Sequence, residues 1–120
     1  MLNYILQLTE EILNETTGLS KKNKDIVYDQ VSYALKLTKS HINSTRTGNR
    51  DKSSPTLANV WQRTSKQIKV INNSQIKNLA STIEEKSIYW ADPDRYDTSQ
   101  FDNFEMRISQ VESTLNRLCK

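Results

Sequence analysis

Apolar residues along this chain recur at steps of three and four, the helical period, and nowhere alternate over a strand's length. Five helices follow from that pattern and its interruptions. The first, Leu2 to about Thr16, puts Leu2, Ile5, Leu6, Ile12 and Leu13 on one stripe, with Gly18 placed as a C-terminal stop. The second begins at Ser20 or Asn23 and runs to about Asn43. It carries one stripe of Val27, Val31, Ala34, Leu35 and Ile42 and another of Ile26, Tyr33 and Leu37, as a helix between two neighbours would.

No apolar residue occurs in the run STRTGNRDKSS, so residues 44–54 read as an exposed, mobile loop. Ser54 then caps a third helix, with Pro55 at the first position, where a missing N–H has no intrahelical partner to lose. Its inner stripe is Leu57, Val60, Trp61, Thr64, Ile68 and Ile71. Asn72, Asn73 and Ser74 mark a tight connection to a fourth helix bearing Ile76, Leu79, Ala80, Ile83, Ser87 and Trp90, and the two helices should form a hairpin. Pro93 and its polar neighbours end that helix. Thr98 or Ser99 caps the fifth, in which Phe101, Phe104, Ile108, Val111, Leu115 and Leu118 form a narrow heptad-like seam. The expectation is an all-α bundle of about five helices, one domain over residues 1–120.

Composition sharpens this reading. Two glycines and two prolines in 120 residues are too few for a β-rich or loop-rich fold. The apolar share of 35% implies a thin core, yet it exceeds what an unfolding-prone composition shows. The N-terminal stretch lacks a basic leader and meets acids by Glu10, which argues against a signal peptide or a membrane span. The lone cysteine, Cys119, excludes an internal disulfide and a multi-cysteine metal site, and a reducing, cytoplasmic setting is the natural expectation.

Charge is segregated along the chain. Met1 to Glu15 holds three acids and no base, Lys21 to Lys77 twelve bases against three acids, and Glu84 to Glu112 eight acids against three bases. Such a pattern can draw the segments together within one fold or align neighbouring molecules head to tail.

Catalysis has little to work with. His41, the one histidine, reads as a dipole partner or surface residue near a helix end, and no nucleophile elbow, phosphate-binding glycine loop or zinc signature occurs. Neither a cofactor nor a metal is implied. The carboxylates Asp92, Asp94, Asp97 and Asp102 fail as an EF-hand, because the required glycine falls on Asp97 and the closing glutamate on Asn103, and they serve better as turn and cap residues.

Binding is therefore the expected activity, with a protein partner, either another protein or a second copy of the chain, and no membrane. The seam Phe101, Phe104, Ile108, Val111, Leu115 and Leu118 either closes the bundle, for instance against the first helix, or pairs with that partner. Trp61 and Trp90 read as core, whereas Tyr89 and Tyr96 are candidates for partner contact. The alternative is a nucleic-acid-associated accessory protein, using Arg46, Arg50, Lys52, Arg63, Lys66 and Lys69 of the basic middle segment.

Overall fold

The computed structural model describes residues 2–46, 54–88 and 101–119, with side chains left out at 44–46, 54–56, 88 and 101–103. Among the described residues there are five α-helices and no strand: α1 (Leu2–Asn14), α2 (Lys21–Arg46), α3 (Ser54–Ile68), α4 (Ser74–Ile88) and α5 (Phe101–Leu118). The all-α bundle anticipated from periodicity is the observed fold, and Trp90, the aspartate cluster around Pro93 and the proposed cap at Thr98 or Ser99 lie outside the described residues.

The boundaries have local causes. α1 tightens into a 3₁₀ turn over Glu15–Gly18, and the Leu19 N–H closes it on the Thr16 carbonyl at 3.0 Å. The Ser20 hydroxyl then accepts the Asn23 N–H at 3.3 Å, satisfying one of the donors a helix start leaves without a partner. α3 begins at the Ser54-Pro55 pair. At the head of α4 the Asn73 side-chain oxygen accepts the Ile76 N–H at 3.0 Å, so the Asn72-Asn73-Ser74 connection ends one helix and caps the next.

The helices pack as a ring. α1 lies against α4 and α5, α2 against α3 and α5, and α3 against α4 as the expected hairpin, whereas α1 and α2 touch only briefly despite adjoining in sequence. α5 thus occupies the gap between them. Its seam residues Phe104, Ile108, Val111 and Leu115 are buried by the chain itself, facing α1 and α2, and Leu118 is partly buried against the same core. The narrowness that made the seam look suited to a partner chain has a simpler cause. A helix set into the furrow between two others needs only a slim apolar edge, and the flanking Glu10, Arg107, Lys39 and Glu112 complete the contact with charge. Phe101 lies in α5, with its side chain outside the description.

A chain short of apolar residues fills its interior partly with hydroxyls. Thr9, Thr38, Ser65 and Ser87 are buried, and each donates to the carbonyl four residues earlier at 2.6 to 2.8 Å. Burial without such a bond would cost a few kcal/mol each. Two hydroxyls also join elements. The Trp61 indole N–H donates to Thr38 Oγ1 at 3.1 Å, locking α3 to α2, and the Tyr28 hydroxyl donates to Thr16 Oγ1 at 3.1 Å, locking α2 to the 3₁₀ turn.

Trp61 is 1% exposed, in keeping with its expected core role. Trp61→Ala removes both the ring and the α2–α3 hydrogen bond, and should cost about 3 to 5 kcal/mol by denaturant unfolding. Because Ile108 faces its own chain, Ile108→Asp should abolish the far-UV helical signal altogether, where a residue at an intermolecular seam would leave a folded, helical monomer.

Candidate functional site

α2 borders a cleft on each side, and the rotation of this helix decides what each cleft presents. The buried arc runs through Val27, Val31, Ala34, Leu35, Thr38, His41 and Ile42. At about 100° of rotation per residue, Tyr33 stands about 120° from Val27 and His41 only about 40°. The sequence expectation is reversed at both positions: Tyr33, assigned to an inner stripe, is 53% exposed, and His41, assigned to the surface, is 4% exposed. Ile26 and Leu37, the other members of that second stripe, are half-buried. α2 also extends to Arg46, so His41 lies more than a turn from its end, beyond the reach of the terminal dipole.

The larger cleft separates α2 from α5. It has a volume of about 410 Å³, with Leu35 and Leu115 at its floor and Ser32, Lys36, Lys39, Ser40, Asn43, Glu112 and Asn116 around it. A recess of about 180 Å³ continues it past Lys39 and Asn43 to Glu105, Ile108 and Ser109. Lys39 Nζ pairs with Glu112 Oε1 at 3.2 Å across the opening, cancelling that carboxylate. Among the described residues the Ser32, Lys36, Ser40, Asn43 and Asn116 side chains make no hydrogen bond or ion pair, which leaves five polar groups, four of them neutral, directed at solvent. The smaller cleft, about 140 Å³, lies between α2 and α3 and is lined by Gln30, Tyr33, Val60, Arg63 and Thr64.

Elsewhere polar groups hold helices together. Glu10 of α1 stands 3.5 Å from the Arg107 guanidinium, an ion pair, and 3.5 Å from the Thr114 hydroxyl, whose proton has a nearer acceptor in the Gln110 carbonyl at 3.2 Å. Lys69 pairs with Glu84 across the α3–α4 hairpin. Of the basic candidates, Lys69 is thereby engaged within the chain, Arg63 and Lys66 are exposed on α3, the side chain of Arg46 is not described, and Arg50 and Lys52 lie outside the described residues. Tyr89 and Tyr96 lie outside them as well. Cys119 is exposed, and partial burial, then Asp29 and Asp25, push its thiol up, away from the thiolate a nucleophile needs.

Sequence periodicity shows neither cleft, because both arise from the splay between helices. The one readable sign was the polar, base-bearing edge of α2 at Lys36, Lys39 and Asn43. Among the described residues no helix is long and apolar enough to cross a membrane. No family model matches the chain, and comparison with curated proteins and with solved structures yields no match.

Burial holds the His41 imidazole below its ordinary value of 6.5, so the folded chain favours the neutral ring. The unfolded chain takes up the proton first on acidification. The stability due to neutral His41 is therefore complete above pH 6.5 and is lost as pH falls from there through the lower folded value. Melting temperature should drop between neutral pH and pH of about 5, and His41→Gln, which cannot titrate, should flatten that slope.

Proposed function

We propose that this protein is a non-enzymatic binding module, an adaptor of the cytoplasm, that engages a carboxylate-bearing segment of another protein in the cleft between α2 and α5. One observation carries the reading: the cleft joins an apolar floor, Leu35 and Leu115, to a rim on which Glu112 is already paired with Lys39 while Lys36 forms no ion pair among the described residues. Such a site wants an amphipathic guest. An aliphatic side chain would cover the leucines, a carboxylate would meet Lys36, and backbone carbonyls would take the hydroxyl and amide donors of Ser32, Ser40, Asn43 and Asn116. Rigid helices present all of these groups, so little ordering free energy is lost on binding.

Of the α5 seam, the role draws on Leu115 at the cleft floor, while Phe104 and Val111 are consumed inside the bundle. Charge still directs it, because the α2 wall of the cleft belongs to the basic middle segment and the guest is acidic.

Titrating the isotope-labelled protein with a short synthetic peptide of alternating glutamate and leucine tests this by NMR. Amide shifts should concentrate at Ser32, Lys36, Ser40, Asn43 and Asn116, and Ser40→Arg, which fills the cleft at an exposed position, should remove them without changing the melt. Shifts scattered over other faces, or none at millimolar peptide, would reject the cleft as the binding site. Light scattering adds a further arm: a mass of two chains that Ser40→Arg halves would make the guest a second copy, with its exposed Glu11 and Glu15 as the acids.

A further inference from the structure

The opposite flank of α2 has a different chemistry. Tyr33 is the most exposed of the described aromatic side chains, and it stands at the α2–α3 cleft together with Arg63 and Gln30. Arg63 and Lys66 lie one turn apart on α3, a helix with no carboxylate in its sequence, and Lys36 lies one turn beyond Tyr33 on α2. None of these three bases forms an ion pair among the described residues. The wider segment is equally one-sided: Gln30 to Ile83 contains nine lysines and arginines and a single acid, Asp51. The carboxylate nearest to Tyr33 along α2 is Asp29, one turn back.

We propose that this flank is a contact for single-stranded nucleic acid, in which Tyr33 stacks on a base while Arg63, Lys66 and Lys36 hold the neighbouring phosphates. The half-exposed phenol ring of Tyr33 offers a face at a cleft that Arg63 also lines. Any nucleobase can stack on it, and the stack is sequence-tolerant. Arg63 and Lys66, whose Cβ atoms are about 5 to 6 Å apart at this spacing, can reach successive phosphates of one strand. Gln30 adds an amide that can meet a base edge. A duplex keeps its bases stacked on each other and offers the ring nothing, and an acidic peptide would use the bases but not the ring. The α2–α5 cleft shares Lys36 with this flank but neither Tyr33 nor Arg63, so Tyr33→Ala tests this contact and Ser40→Arg the other.

Fluorescence anisotropy of a labelled oligothymidylate of about twelve nucleotides, titrated with the full chain at low salt, tests it. Binding should weaken with added salt at a log–log slope of about −2, the value for three phosphate contacts on a single strand. Tyr33→Ala should reduce affinity about tenfold or more, Tyr33→Phe should stay within about twofold, and Arg63→Gln should lower the slope by about 0.7. Both positions are exposed, and melting curves confirm that the variants remain folded. No binding at low salt would overturn the proposal. So would equal affinity for a duplex of matching length, or full affinity in Tyr33→Ala, either of which would reduce the flank to a nonspecific polyanion surface. Displacement of the oligonucleotide by the glutamate-leucine peptide, with Tyr33→Ala indifferent to both, would assign it to a protein partner instead.

Discussion

The hydrogen bond from the Trp61 indole to Thr38 fixes the rotation of α2 against α3, and most of the surface follows from that rotation. With Thr38 held inward, its own proton goes to the Ala34 carbonyl at 2.7 Å, and the buried arc is set from Val27 to Ile42. The two remaining edges of α2 are then determined. One carries Ser32, Lys36 and Asn43 toward α5, and the other carries Gln30 and Tyr33 toward α3. The bond itself is worth on the order of 1 kcal/mol. Its importance is positional, since the large ring it anchors fills a part of the core that no smaller residue could occupy.

Charge plays a directing role. Among the described residues, ion pairs join Glu10 to Arg107, Lys39 to Glu112 and Lys69 to Glu84, and two of them link the basic middle segment with the acidic segment that follows it. All are partly exposed, so each contributes at most about 1 kcal/mol. Their effect is to select which helix lies beside which. Opposite charges on the flanks of α5 match Glu10 on one neighbour and Lys39 on the other, and so specify the furrow in which that helix lies.

Much of the fold was legible because its signals are local. Gly18 closing the first helical stretch, Ser54-Pro55 opening the third and Asn73 between the third and fourth each act within a turn, and the described residues of the α1, α3 and α4 stripes are buried, Val60 and Leu79 partly, as periodicity implies. The failures share a cause. On α2, hydrophobicity placed the tyrosine inside and the histidine outside, but the arc was set by the hydroxyl of Thr38 answering the indole of a helix more than twenty residues away. The pairing is invisible one-dimensionally, because threonine scores as neutral until its partner is known. The clefts flanking α2 were equally hidden, being properties of the distance between helices. On α5 the apolar seam was legible but its destination stayed open between the first helix and a partner, since a slim stripe serves a furrow within one chain and a partner helix equally well.

The ring closes in an order unlike that of synthesis. α1 and α2 are made first, yet α5, the last of the described helices, fills the gap between them, and the Glu10–Thr114 contact joins positions 104 residues apart. Helical proteins generally fold fast because their contacts are local. Here the final step requires closing almost the whole chain into a loop, whose entropy cost grows only slowly with length but must be met before the burial of Ile108 and Val111 repays it. Until then the faces of α1 and α2 that α5 covers border an open furrow. A nascent chain in that state has an apolar trough matched to one amphipathic helix, and the α5 of another nascent chain fits it as well as its own. Exchange of that helix between chains is thus the error to which this topology is most open during folding.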